Sequence, residues 1–384
     1  MDMTSFVQYC SEQFPSIAHL STLKDGRAHP KISPSVIFKT LLYGGALGLG
    51  SLLGIDQFLR TPAGKVLFKS KKPMVSDTTI SRSLEGMDRP RLHGLLQRLY
   101  QSAHTMGPCR LPVGLKHLRV GMIDGSCFGR MYACCFAQIS SICLMADFIR
   151  MKKMGKELPT AKVLLKRLVT RFGKGFVDLL LLDGIYFAQD FINCALSENI
   201  DVLIKTQEQG LLIIQDAMGL ITADDPKSFG VQTEEGTDLE RMRTYKASAV
   251  DGLCQDGIPA PFTVCHVTEQ EIRTGIEYEF WALTTISGLS PNEMRLLAHE
   301  RWQVENNGFK TLNHLVHTKH LYAHEKKAQE AMVLILMMAA NLLQLFDLRI
   351  TDQALTQALG KVKRTKRLVQ QIIRQSLLIP LPDT

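Results

Sequence analysis

The chain has 384 residues, 45% hydrophobic and 21% charged, with a formal net charge of +8. This composition supports one sizeable core with one or two smaller domains, and the excess of Lys and Arg favours a polyanionic partner. Nine cysteines are scattered without a CxxC pair, which excludes a zinc ribbon or a disulfide framework and fits a reducing cytoplasm.

The opening run MDMTSFVQYCSEQF lacks a basic start and an apolar stretch, so no signal peptide is expected. Residues 1–112 read as a helical N-terminal domain. Within it, Ile37–Ile55 is apolar but broken by glycines at 44, 45, 48, 50 and 54, so a buried helix is expected rather than a membrane span. Ser76 is the expected N-cap of a short helix bearing Thr78, Thr79, Ser81, Arg82 and Ser83, just after the basic run KSKKP. Short polar side chains and one arginine there are similar to a helix-turn-helix recognition element; a solvated, ordinarily capped helix is the alternative.

From residue 117 the texture becomes α/β. HLRVGMID and SSICLMADFI read as strands, and MKKMGKELPTAKVLLKRLVTRFG as a basic amphipathic helix. FVDLLLLDG reads as a strand buried on both faces, followed by helix FAQDFINCALSEN and strand IDVLIKT. This order gives a mixed sheet. Residues 206–286, with turn-forming TADDPKSFG, EEGTD and QDGIPAP, read as a mostly β insertion. Helical pattern returns from Pro291 to Leu348. Met332–Phe346 is too short for a membrane span, and a basic helical segment, 349–384, ends the chain.

Two carboxylates close apolar strands, Asp124 and Asp183, each followed by glycine. Strand ends in an α/β sheet open onto ligand-binding loops, although Asp-Gly is ordinarily a turn. Downstream, RWQVENNGFKTLNH on a helix would place Ala298, Arg301, Glu305 and Phe309 on one face. A surface Arg–Glu pair would look the same. Trp302 can stack on an unpaired base or pack in the core, and Tyr186 can line a site or the core. Glu157 and Asp147 read as structural acids. His317, His320 and His324 have helical spacing, for which contacts to phosphate or to the core are expected ahead of zinc.

Taken together, MIDGS, LLDGIYFAQDFI and RWQVENNGFKTL occur in an order that resembles the DDE-type transposases of bacterial insertion sequences, the group with a Tyr-Arg-Glu-Lys-like signature around the catalytic glutamate. GKELPTAKVLLKRL, FWALTTI and HLYAHEKKAQEA are similar to the same family, so the resemblance spans roughly 115–347. It implies an RNase H-like core over 113–205 and 287–348, interrupted by the 206–286 insertion. It further implies that Asp124, Asp183 and Glu305 hold two Mg²⁺ ions, with Mn²⁺ as a substitute. The separations, 183 − 124 = 59 and 305 − 183 = 122, suit such a core. Arg301 matches the arginine one turn before the glutamate, while Ala298 and Leu312 stand where the signature has tyrosine and lysine. Arg301, Trp302, Lys310 and Arg82 are the candidate DNA contacts.

The function implied is a nucleoid-associated transposase, outside any membrane, that cleaves and transfers strands of double-stranded DNA, both transposon ends and target, as a dimer in a synaptic complex. Two other readings stay open: a catalytically silent DNA-binding protein derived from such an element, and a nuclease of the same fold without strand transfer.

Overall fold

The computed structural model describes residues 3–18, 20, 23–67, 75–106, 118–128, 130–139, 142–153, 155–302 and 304–351. The basic KSKKP run and the C-terminal cations Lys361, Lys363, Arg364, Lys366 and Arg367 lie outside them.

The N-terminal part is helical: α1 (Met3–Gln13), α2 (Pro15–Ala18), α3 (Pro34–Ala46), α4 (Leu52–Arg60), α5 (Pro62–Leu67), α6 (Asp77–Gly86) and α7 (Arg89–Met106). Ser76 caps α6 as expected, its hydroxyl accepting from Thr79 N–H at 3.3 Å. Arg82 is exposed on that helix. Ser83, however, points inward and donates to the buried Asp25 carboxylate, so it belongs to packing rather than to a recognition face.

The sheet-forming part follows as β1 (Val120–Cys127), β2 (Met131–Ile139), β3 (Ile142–Arg150), α8 (Glu157–Phe172), β4 (Leu179–Asp183), α9 (Gln189–Leu196), β5 (Asp201–Thr206) and α10 (Leu212–Ile221). Next come β6 (Gln232–Asp238), β7 (Arg243–Leu253), β8 (Phe262–Glu271) and β9 (Glu277–Thr284), then α11 (Pro291–Glu300), a π-helical turn (Val304–Phe309), α12 (Lys310–Val316) and α13 (Lys326–Thr351). The strands form one sheet in the order β3-β2-β1-β4-β5-β9-β8-β7-β6. The β1–β2–β3 meander is antiparallel, while β1–β4 and β4–β5 are parallel. Residues 206–286 extend this sheet, because β9 pairs with β5 in antiparallel register. They also contain α10, an apolar run too short for its period to separate helix from strand in the sequence.

Helix α13 closes the structure. It is long and apolar enough to cross a membrane, yet 94% of its apolar window is buried inside the protein. It packs on α3, α6 and α7 and on β3. The glycines of α3 permit this: a Cβ on Gly45 would lie 2.9 Å from Leu336 Cδ2, and one on Gly44 would lie 2.9 Å from Ile55 Cγ1. Asn341 of α13 accepts from Met145 N–H at 3.0 Å and donates to Met145 C=O at 2.8 Å, so its amide pairs with the edge strand β3. At Met145 the edge strand is thereby closed to pairing with another chain.

Candidate active site

The two aspartates are set by strand register. β1 and β4 pair as Val120↔Leu179, Gly121↔Leu180 and Met122↔Leu181. Their offset, 179 − 120 = 59, equals 183 − 124, so Asp124 and Asp183 stand level two rungs beyond the last paired one. Level residues on neighbouring parallel strands project to the same face. Asp183 is the last residue of β4, as the sequence indicates. Asp124 does not close its strand. β1 continues to Cys127 because pairing with β2 persists past it, Asp124↔Cys134 to Cys127↔Met131.

Each carboxylate is oriented by backbone donors. Asp124 Oδ1 accepts from Gly125 N–H at 2.7 Å, and Asp183 Oδ1 caps the 3₁₀ turn Gly184–Tyr186 through Ile185 N–H at 3.2 Å. Burial pushes the Asp124 carboxyl up to about 7, with the charges of Glu157 and Asp183 adding to it; the Gly125 N–H and Arg301 pull the other way.

Across the next strand, Lys205 of β5 pairs with Asp183. Its ammonium sits 4.0 Å from the centroid of the Phe280 ring. Burial brings its pKa down to about 8, and the neighbouring Arg301 and Arg243 act in the same direction. Asp124, Asp183 and Lys205 therefore form one polar rung on three adjacent strands. The sequence signal for Lys205 is a cation near the end of a mostly apolar strand, IDVLIKT.

Above this face lies the segment carrying Arg301 and Glu305. A continuous α-helix through Ala298, Arg301, Glu305 and Phe309 does not form. α11 ends at Glu300, and Val304–Phe309 is wound as a π-turn before α12 resumes at Lys310. The wide turn brings Gly308 onto the Phe136 ring, where a Cβ would lie 3.1 Å from Cζ, and packs Phe309 edge-on against it. Because Phe136 pairs with Met122, two residues before Asp124, the turn covers the Asp124 face. Such turns within helical segments are frequent at functional sites.

Arg301 Nη2 donates to Glu305 Oε1 at 3.1 Å, and the arginine's charge also reaches Asp124. Trp302 is 55% exposed and does not pack in the core. With Asp183, Lys205, Arg243 and Arg301 it lines an open groove of about 420 Å³. Lys310 is exposed and donates to Asn306 Oδ1 at 2.6 Å. Among the described residues, no three His, Cys, Asp or Glu side chains are grouped so as to hold a metal ion. The two aspartates come together, and Glu305 is turned toward Arg301.

Glu157 is nearer the chemistry than its sequence context indicated. At the start of α8, its Oε1 accepts from the Tyr186 hydroxyl at 2.9 Å. Its Oε2 lies 2.5 Å from where a Gly125 Cβ would be. Since side chains alternate along a strand, Glu157 backs β1 from the face opposite Asp124. Tyr186 is fully buried. Asp147 is structural: buried, it accepts from Gln97 and pairs with His93 and Arg167. The histidine spacing is not helical, because α12 stops at Val316 and His317 adopts a left-handed conformation with φ 53°.

A buried charge network fixes α11. Arg295 donates to Glu269 at 2.8 Å and Asp238 at 3.0 Å and stacks 4.0 Å from the Tyr245 ring centroid. Glu269 also accepts from Arg243 at 2.8 Å and pairs with His299 at 2.6 Å. Burial acts to raise the Glu269 pKa, but hydrogen bonds from His299, Arg295 and Arg243 outweigh it and hold the carboxyl far below its ordinary range. The network anchors the helix that ends at Arg301 to β6, β7 and β8.

No protein-family model matches the chain, and no curated protein matches it. Among solved structures, a cryo-EM piggyBac transposase synaptic complex with hairpin DNA is similar at a TM-score of 0.41 and 10% sequence identity. The alignment covers 97% of this chain and 77% of that one. At that level the likeness carries no argument about activity.

Proposed function

We propose that this chain is a DDE-type DNA transposase of the bacterial insertion-sequence kind, binding element ends and cutting and joining DNA through Asp124, Asp183 and Glu305. The observation that carries this reading is the level pair Asp124 and Asp183, with the Arg301–Glu305 turn packed over the same face. The order β3-β2-β1-β4-β5, antiparallel through the first three strands and parallel through the last three, supports an RNase H-like core.

The donor chemistry fits magnesium. Mg²⁺ prefers hard oxygen ligands and keeps several waters, so few carboxylates suffice. Burial, with the charges of Glu157 and Asp183, holds the Asp124 pKa up to about 7, and a bound cation would offset both effects. Asp124 and Asp183 would hold the ions from the sheet, and Glu305 would join them by leaving Arg301. When bound, two such ions activate the attacking oxygen and stabilise the leaving one. Freed from Glu305, Arg301 has its guanidinium available for a phosphate oxygen, and Lys205 adds a second positive charge on the same rung. Trp302 presents an indole to a base unstacked at the cut end.

The Arg301–Glu305 pairing also favours a second reading, a DNA-binding protein with no chemistry. In vitro cleavage and joining of the DNA flanking the gene, with and without Mg²⁺, separates the readings. The transposase gives Mg²⁺-dependent cut and joined products, abolished by Asp124→Asn, Asp183→Asn or Glu305→Gln. Cut but unjoined products indicate a nuclease, and bound but intact DNA indicates the silent protein.

A further inference from the structure

Three residues beyond Asp124, at the far end of the β1–β2 hairpin, a second pocket of about 620 Å³ opens to solvent. Arg130, Arg150, Lys152, Lys153 and Lys326 line it, and none of its lining residues is acidic. Among the described residues, no carboxylate pairs with any of the five, in contrast to Arg167, Arg243 and Arg295 elsewhere. Arg130 Nη2 donates to the His324 carbonyl at 2.9 Å, but its Nε is buried without a hydrogen-bond partner. Five cations without a carboxylate partner repel one another, and a polyanion docked there would offset that cost.

Register places this pocket relative to the aspartates. Cys127 pairs with Met131, Tyr132 with Arg150, and Met151 N–H bonds to Met131 C=O, so the cations sit where the hairpin ends and β3 exits. Asp124 is about 10 Å back along β1 at roughly 3.3 Å per residue. The groove of Lys205, Arg243 and Arg301 lies on the other flank. From β3 to β5 is four strand steps, or about 19 Å. The all-basic pocket and this groove, whose cations stand beside Asp183, Glu269 and Glu279, thus lie on either side of the Asp124–Asp183 pair, a separation of about six nucleotides at 3.4 Å each.

We propose that Arg130, Arg150, Lys152, Lys153 and Lys326 form a second phosphate-backbone site, holding duplex DNA that continues past the carboxylates from the Lys205–Arg301 groove. The inference rests on the DNA-processing reading above for its partner, but not on catalysis. Duplex DNA, a stiff polyanion with one charge per 1.7 Å of axis, is long enough to reach the pocket and the groove at once.

The test is metal-free binding of a fluorescent 30-base-pair duplex by the full chain across a salt series. Lys152 and Lys153 are exposed, so the Lys152→Gln/Lys153→Gln variant leaves the fold intact. Its slope of log affinity against log salt should fall by about 2, near 0.9 per lost contact, with affinity down about tenfold at moderate salt. Cys127, exposed at the pocket rim, supplies a geometric arm: thiol-tethered duplex should crosslink to it, and Cys127→Ser should abolish that product. An unchanged slope with no Cys127 crosslink overturns the site. Crosslinking of a duplex RNA in preference to the DNA overturns the choice of partner. Because binding is read without metal, loss of cleavage in Asp124→Asn leaves this result independent.

Discussion

The Tyr186 hydroxyl donates to Glu157 Oε1 at 2.9 Å, tying the start of α8 to the turn that follows Asp183. Both residues flank the aspartate rung without belonging to it. Glu157 contacts Gly125, the residue after Asp124, and Tyr186 is the third residue after Asp183. The pair therefore acts as a strut that sets the height of one strand end against the other.

Removing the strut should loosen the aspartates. Tyr186→Phe keeps the ring packing and deletes one hydrogen bond to a half-buried carboxylate, at a cost of about 1–2 kcal/mol. Thermal melting reads the stability loss. Strand cleavage should fall through kcat with little change in DNA affinity. A variant with wild-type kcat would show that the tie is purely structural.

Gly125→Ala is predicted to disturb Glu157. A Cβ there would lie 2.5 Å from Glu157 Oε2, so Gly125→Ala must displace that carboxylate and its bond to Tyr186. Since the displaced group is the flexible end of Glu157, the loss is chiefly its hydrogen bond to Tyr186, about 1 kcal/mol. The double variant Gly125→Ala/Glu157→Ala relieves the clash and should recover part of the melting temperature lost by Gly125→Ala alone. No recovery would show that the clash is not the cause.

Much of this site is legible in the sequence, and the remainder has a physical explanation. MID and LLLLD read as strands because apolar runs mark buried β structure, and their two aspartates follow directly. Their level placement depends on a register that no local pattern encodes. The π-turn is hidden because Asn306, Asn307 and Gly308 suit an α-helix poorly but do not specify a wider one; contact of Gly308 with Phe136 selects it. Glu157 looks like any acid in the first turn of a helix until α8 docks on β1. Trp302 is exposed because the helix ends before it, which removes the face on which it would have packed.

Without metal, Asp124→Asn should be more stable than the wild type at pH 8. The Asp124 pKa is raised in the folded state from 3.8 to about 7. Its protonated form therefore contributes stability that is full below pH 3.8 and lost as pH rises through about 7. The gain in the variant should be about 1–3 kcal/mol at pH 8, screened below the full linkage value by partial solvent access, and should vanish below pH 4. Chemical denaturation at the two pH values checks it. A difference independent of pH would remove Asp124 as its source.

Glu269 gives the opposite sign. Its folded pKa is depressed, so the stability it contributes is present above its ordinary value of 4.5 and is lost as pH falls toward its folded value. Glu269→Ala leaves Arg243 without its carboxylate and Arg295 with Asp238 alone, and should cost about 3–5 kcal/mol at pH 7. The penalty should shrink in acid. Because Arg301 directly follows the end of α11, DNA cleavage should fall further than melting alone explains.

The most direct test of the central claim is the position of Mn²⁺, read from its anomalous scattering, in crystals of the protein bound to a transposon-end duplex. The account predicts Mn²⁺ at the Asp124 and Asp183 carboxylates, with Glu305 rotated off Arg301 to complete the coordination. Mn²⁺ absent from that rung, with Glu305 still bonded to Arg301 in the presence of DNA, would contradict it.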